Sequence, residues 1–266
     1  MVNAWPGRGA CVTWLTVVAP ATRNRRLTSV KRPYVLLSCA MSVDGYTDDA
    51  SDRRLLLSCA ADLDRVDELR ASCDAILVGA GTIRADNPRL LLRSQSRRQA
   101  RTAAGLGPDP IRVVLSRAGA LDPAAAIFTA RGPRAIVYVA VQAAQGARER
   151  LGAAAEVVSA GDQAADFGTV LADLRDRGVR RLLVEGGQSV RTQFLQAGLA
   201  DELQLAIAPF LVGDSRAPRL AGDGAFAADP AHRARLVQVR QVGDMAVATY
   251  QLSVGPGRPD HPVRLR

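Results

Sequence analysis

Glu185 is the residue least easily explained by packing. It follows the apolar run Leu182-Leu183-Val184 and precedes Gly186-Gly187, so it stands where a strand ends and a helical pattern, Gln188 to Ala197, begins. A carboxylate at a buried strand end costs several kcal/mol unless a partner meets it. The two glycines let a ligand approach the backbone closely. The unpaired N–H groups and positive pole of the helix that follows make a site suited to phosphate or diphosphate. A structural cap is the alternative reading. No P-loop lysine follows, and Gly187-Gln188-Ser189-Val190-Arg191 lacks the last glycine of a hydrolase elbow, which sets nucleophilic serine chemistry aside. A second segment, Val78-Gly79-Ala80-Gly81-Thr82, runs from a strand into small residues before Asp86-Asn87-Pro88. Arg84 takes the place of the third glycine of a dinucleotide fingerprint, so Gly79-x-Gly81 on its own reads better as an ordinary tight turn. A third, Leu37 to Gly45, leads through Ala40, Met41 and Ser42 to Asp44-Gly45, by itself a turn signal.

The elements that must position these residues alternate between short apolar runs and helical patterns, the mark of an α/β fold. Strands are expected at Tyr34–Met41, Ala75–Val78, Ile111–Leu115, Ala135–Ala140, Glu156–Val158 and Arg181–Val184. Leu56, Ala60, Leu63 and Val66 recur at helical spacing up to about Ala71; Phe167, Val170, Leu171 and Leu174 mark another helix, ended by Gly178. From Leu203 the pattern becomes alternating, and Gly243-Asp244 separates a run through Val237 and Val239 from Met245–Leu252 as a hairpin turn would. The sum is a mostly parallel sheet with an antiparallel C-terminal edge. Between Ser94 and Pro110 lies SQSRRQARTAAGLGPDP, rich in Arg, Gly and Pro, which reads as a flexible surface loop. One domain is expected over 34–253, between a disordered basic leader, 1–33, and a flexible tail, 254–266.

With 266 residues, 48% hydrophobic and 23% charged, the chain has the make-up of a soluble globular protein, and no apolar run is long enough to span a bilayer. The net charge of +9 is carried mostly by the ends: +6 in residues 1–33 and +2 in 254–266 leave +1 for the rest. The folded part therefore has no strong general attraction for polyanions. Cys11, Cys39, Cys59 and Cys73 show no C-x-x-C spacing and lie far from His232 and His261, so neither a metal site nor a disulfide scaffold is expected, and the compartment reads as cytoplasmic. Ala10 to Ala21 looks like the apolar part of a secretion signal, but most of the positive charge follows it instead of preceding it. A disordered extension, or a start codon assigned too early, fits better.

Taken in order, S-V-D-G after the first strand, I-L-V-G-A-G-T-x-x-x-D-N-P, R-V-V-L-S-R, L-V-E-G-G with its helix, D-E-L at Asp201–Leu203 and A-P-x-L-V-G at Ala208–Gly213 resemble the riboflavin-pathway pyrimidine reductases. The likeness runs from about residue 34 to 252. It implies a three-layer dihydrofolate-reductase-like fold, a homodimer, and NADPH-dependent reduction of a 5-amino-6-(5-phosphoribosylamino)uracil-type substrate to its ribitylamino product. It also implies that Ala40, Gly81, Thr82, Asp86 and the turn and helix from Gly186 and Gly187 through Gln188 and Ser189 contact the dinucleotide. Ser116 or Arg117 would meet the cofactor again, and Arg117 suits a ribose 2′-phosphate. Arg70, Leu90, Arg93 and Glu185 match substrate positions; the two arginines would clamp the phosphate while Glu185 accepts hydrogen bonds from the pyrimidine or sugar. Without the resemblance, Arg70 reads as part of a solvated helix face and Arg93 as a loop charge. Asp44 is the nearest candidate for a proton donor, with bulk water as the alternative. Where the family carries a Ser-x-Trp-Ile-Thr-like stretch, this chain has Arg53-Arg54-Leu55-Leu56-Leu57-Ser58, and no H-x-E or P-C-x-x-C deaminase motif is present. A same-fold reductase of a pterin or another heterocycle is the enzymatic alternative. A non-enzymatic polyanion binder using the leader and the 94–110 segment is the other, opposed by the near-neutral core and by aromatic residues at only 4%.

Overall fold

The computed structural model describes residues 32–51 and 54–252. The leader up to residue 31, Asp52, Arg53 and the tail from Ser253 lie outside the described residues, and Cys11 and His261 with them. The strands are β1 (Tyr34–Ser42), β2 (Ala75–Gly79), β3 (Ile111–Leu115), β4 (Ala135–Val139), β5 (Ala155–Ser159), β6 (Arg181–Gly186), β7 (Glu202–Ala208), β8 (Arg235–Val242) and β9 (Met245–Gln251); the short apolar runs of β2, β3 and β4 are covered on both faces, whereas the alternating β8 is mostly exposed. They form one sheet in the order β5-β4-β3-β2-β6-β1-β7-β9-β8. Every pairing from β5 to β7 is parallel, and β9 and β8 add antiparallel. Gly243, at φ +62°, makes the turn between the last two strands.

Helices cover both faces. Alternate residues of one strand serve opposite layers: Val35 and Leu37 join Leu171, Leu174 and Phe194 in one cluster, and Leu36 joins Leu69, Ile76, Val78 and Ala147 in the other. The helices are α1 (Ala60–Ala71), α2 (Ala80–Asp86), α3 (Gln95–Ala103), α4 (Ala126–Thr129), α5 (Ala144–Leu151), α6 (Phe167–Asp176) and α7 (Gln188–Gln196). Arg32 and Pro33, assigned above to the leader, are placed at the entry to β1. Arg32 donates twice to the buried Asp201 carboxylate, at 2.8 and 3.0 Å, and Asp201 also accepts from the Val35 amide.

Three expectations are corrected. The 94–110 segment is not a flexible loop: it contains α3, capped by the Ser94 hydroxyl, which accepts from the Arg97 amide. Its Arg and Gln residues are good helix formers, and its charges are used internally. Arg97 pairs with Asp64 and Asp67 of α1, while the buried Arg101 donates to the carbonyls of Ala71, Cys73 and Gly107. The segment therefore offers no free basic stripe to a polyanion. The turn after β2 is also helical, with Gly79 as N-cap of α2 and Asn87 in the left-handed conformation at its end. Finally, α1 starts at Ala60, not near Leu56, and buries Asp62, Arg65, Asp67 and Leu69 in place of the apolar residues whose spacing announced it. Two short helices, α4 and α5, carried no apolar signal strong enough to be read.

Candidate active site

A cleft of about 890 Å3 opens at the carboxyl ends of β1, β2 and β6, where parallel sheets place their ligand sites. Ser38 and Ala40 of β1 form part of its floor. The register pairs Val78 of β2 with Gly186 of β6, so α2 and α7 start side by side. They are stitched together by the Gly187 amide, which donates to Thr82 Oγ1 at 3.0 Å. A Cβ at Gly186 or Gly187 would lie 3.3 Å from that same Oγ1, and one at Gly79 would meet Val190 at 2.8 Å. Gly79 thus has no room for a Cβ unless Val190 shifts, and at Gly186 and Gly187 a Cβ fits only if Thr82 gives by a few tenths of an ångström. In the first turn of α7 the amides of Gln188 and Ser189 have no intrahelical partner, and they meet no acceptor among the described residues. Two free amides, the positive end of a nine-residue helix and a glycine-lined approach fit a diphosphate.

Seven of the ten expected cofactor residues line this cleft: Ala40, Gly81, Thr82, Asp86, Gly186, Gly187 and Gln188. Ser189 is the next residue of α7. Partial burial raises the Asp86 carboxyl above its ordinary range; Arg54, at 3.8 Å, opposes this, and Asp48 reinforces it. Ser116 and Arg117 do not line the cleft. They follow β3, the strand beside β2, where Ser116 is buried with its Oγ accepting from the Gly119 amide and the Arg117 side chain is exposed.

On the substrate side, Arg70 of α1 reaches across to Glu185 at the end of β6. Its Nε and Nη2 donate to Oε1 and Oε2 at 2.7 and 2.6 Å, a two-pronged pair with both side chains mostly buried. The carboxylate foreseen as costly does have its partner. The pair keeps capacity for a ligand: Glu185 retains lone pairs, and Arg70 Nη1 makes no hydrogen bond among the described residues. Because Glu185 neutralises Arg70, however, the free positive charge expected of a two-arginine phosphate clamp rests on Arg93 and its neighbours. The backbone from Asn87 to Arg93 forms one wall. Leu90 is in the left-handed region, φ +51°, with its side chain packed into the core, and the amides of Arg93 and Ser94 are held by Asp67.

Asp44 stands apart from the other expected site residues. It does not line the cleft; its carboxylate accepts from Ser42 Oγ at 2.5 Å and from the amides of Val212 and Gly213. These bonds, led by the one from Ser42, hold the carboxyl below its ordinary range, which suits a turn anchor and not a proton donor. Asp62 and Arg65, which carry no apolar signal in the sequence, are both buried in α1 and both line the cleft. Arg65 Nε donates to Asp62 Oδ1 at 2.7 Å, Arg65 Nη1 to Gln204, and Asp62 Oδ2 is buried with no hydrogen-bond partner among the described residues. Arg191, buried at the base of α7, donates to Thr47 and to the carbonyls of Arg219 and Leu220. Among the described residues no group of three or more His, Cys, Asp or Glu is arranged to hold a metal ion, and no helix is long and apolar enough to cross a membrane.

A three-layer fold with this strand order and a cleft at the switch between β6 and its neighbours defines the dihydrofolate-reductase-like class. Residues 33–248 match the RibD C-terminal domain, and the chain belongs to that family. Among its relatives is the 2,5-diamino-6-ribosylamino-4(3H)-pyrimidinone 5′-phosphate reductase of Archaeoglobus fulgidus, 33% identical over 213 residues, which are 80% of this chain and 95% of that protein. The protein of the same name from Methanothermobacter thermautotrophicus is 34% identical over 82% of this chain and 98% of its own length. The riboflavin biosynthesis protein RibD of Bacillus amyloliquefaciens is 33% identical, but the match spans only 55% of it. Among solved structures, Acinetobacter baumannii RibD superposes with a TM-score of 0.67 at 26% identity, over 84% of this chain and 59% of that one. A pyrimidine reductase-like protein from Corynebacterium diphtheriae shares the fold with a TM-score of 0.70 at 22% identity, over 83% and 92% of the two chains.

Proposed function

We propose that this chain is an NADPH-dependent reductase of a phosphoribosylamino-pyrimidine, converting the ribose to a ribityl chain in riboflavin biosynthesis. The observation that carries the reading is the pairing of two sites in one cleft: the glycine-lined start of α7 beside Thr82, and the Arg70–Glu185 pair at the end of β6. When bound, a reduced nicotinamide supplies a hydride to C1 of the ring-opened, imine form of the sugar.

The chain's own part is binding and alignment. The Gln188 and Ser189 amides hold the diphosphate, and the Arg117 guanidinium, exposed beyond β3, meets the 2′-phosphate. Ala40, with its small side chain, leaves room over the sheet for two rings to stack. Arg70 and Glu185 orient the pyrimidine and sugar so that donor and acceptor carbons meet at about 3–3.5 Å with water excluded. The proton that accompanies the hydride comes from solvent. A homodimer is part of this reading, with the exposed edge strand β8 and its Leu236 and Val239 offered to a second copy.

Nicotinamide oxidation measured against a panel decides the matter. NADPH should be consumed with the 2,5-diamino-pyrimidinone ribosylamine phosphate or its uracil counterpart. NADH should be a poorer donor, and dihydropterins should be inert. Turnover of a pterin in preference to both pyrimidines would overturn the substrate assignment.

A further inference from the structure

Where the cleft meets β1 and β7, Asp62 and Arg65 are buried with part of their hydrogen-bonding capacity unspent. Arg65 uses two arms of its guanidinium inside the protein: Nε donates to Asp62 Oδ1 at 2.7 Å and Nη1 to Gln204 Oε1 at 2.9 Å. Gln204 is fixed in turn, because its Nε2 donates to Glu202, which also accepts from the Tyr34 hydroxyl. Two groups are left over. Arg65 Nη2 makes no hydrogen bond among the described residues, and Asp62 Oδ2 is buried with no partner among them.

An anionic oxygen sealed from water with no donor is unfavourable and calls for one in the liganded state. The free donor and the free acceptor belong to one ion pair, set in place by Gln204 before any ligand arrives, so that ordering it on binding costs little. Ser38 stands in register with Gln204 on the neighbouring strand and also lines the cleft; its hydroxyl can donate or accept.

Complementarity then decides which heterocycle edge fits. In a 2-aminopyrimidin-4(3H)-one the ring nitrogen N1 is a bare acceptor and the 2-amino group beside it a donor. In the uracil counterpart both are reversed: N1 carries a hydrogen and the 2-oxygen accepts. The ribosylamino group at C6, held at Arg70 and Glu185, fixes which way round the ring lies. The substituent at C2 projects beyond the ring and reaches the deeper residue, Asp62, whose side chain is 1% exposed against 5% for Arg65.

We propose that Asp62 and Arg65 read the N1–C2 edge of the pyrimidine and set a preference for the 2-amino over the 2-oxo form: Asp62 Oδ2 accepts from the 2-amino group and Arg65 Nη2 donates to N1. A uracil would set its 2-oxygen against the carboxylate and its N1 hydrogen against the guanidinium, leaving both buried groups unpaired. The ligand class rests on the reductase reading, but the edge preference is testable apart from catalysis.

Two free bases that differ only at C2, 2,5,6-triaminopyrimidin-4-one and 5,6-diaminouracil, are titrated against the full chain by calorimetry without oxygen. The wild-type chain should bind the triamino base about 10- to 100-fold more tightly, the effect of leaving buried polar groups unpaired. Asp62→Asn can offer an N–H to the 2-oxygen, so the preference should shrink to within about threefold. Arg65→Lys, which keeps the charge but loses the planar fork, should narrow it too. Should either variant fail to fold, the wild-type preference and the other variant decide. A wild-type chain that binds neither base, or prefers the uracil, overturns the proposal. So does a folded variant that weakens both bases by the same factor, since the pair would then only brace α1. NADPH consumption with the two ribosylamine phosphates judges the reductase reading separately. Equal kcat/KM for both leaves that reading standing and removes the edge preference; consumption with neither removes the reductase reading, and the base titration still decides the edge.

Discussion

Glu185→Gln is expected to lower kcat/KM for the phosphoribosylamino-pyrimidine by about 10²–10³-fold, roughly 3–4 kcal/mol of transition-state binding, while the Kd for NADPH stays within about threefold of wild type. The size follows from what the carboxylate does. It takes two short hydrogen bonds from a mostly buried guanidinium, and removing one partner of such a pair leaves the other charge uncompensated, at a cost of about 3–5 kcal/mol. An amide keeps the shape but offers one acceptor oxygen and no charge, so Arg70 is released and the substrate loses its alignment. The selectivity of the effect follows from position: the start of α7 lies on the opposite flank of Glu185 from α1, and its amides do not depend on the ion pair. Isothermal titration with NADPH, set beside steady-state kinetics, separates the two. Equal loss of affinity for cofactor and substrate would contradict the assignment of Glu185 to the substrate side.

Gly187→Asp should act in the opposite sense. Asp is a favoured N-cap and its charge suits the positive end of a helix, which offsets part of the strain that its Cβ brings at this position. The same carboxylate occupies the approach expected of the diphosphate, and its Cβ crowds Thr82 Oγ1 at 3.3 Å. NADPH affinity should fall by about 100-fold or more, equivalent to roughly 2.7 kcal/mol, and the stabilisation that NADPH gives the wild-type melting curve should vanish. A variant that keeps full NADPH affinity would remove the helix start from the cofactor site.

What was legible in the sequence and what was not divide along physical lines. Strands such as β2 and β3 were readable because a short apolar run covered on both faces has few alternatives, and the antiparallel edge was readable from alternation and a Gly-Asp turn. Glu185 stood out because a charge at that place needs an explanation, and the structure supplies Arg70. By contrast α1 was announced by its apolar residues yet buries Asp62, Arg65 and Asp67, since much of the face it turns inward meets a polar cleft and Leu69 alone of its fully buried residues joins the core. Periodicity arguments assume an apolar neighbour, and so they passed over Asp62 and Arg65. The Ser94–Pro110 segment misled for a related reason: its arginines looked solvated, whereas Arg97 and Arg101 are spent on α1 and on backbone carbonyls. Placing Arg98 in the cleft required knowing that α3 is a helix. Asp44-Gly45 is the same dipeptide whether its carboxylate serves a reaction or anchors a turn, and the amides of Val212 and Gly213 that it accepts from lie too far along the chain for the sequence to show them.

The most direct test of the account follows the hydrogen itself. With NADPH carrying deuterium at both C4 positions of the nicotinamide and the phosphoribosylamino-pyrimidine as acceptor, the purified chain should yield a ribityl product bearing one deuterium at C1, read by mass spectrometry and carbon NMR. A product without that label, or a chain that neither binds NADPH nor consumes it in the presence of this acceptor, would contradict it.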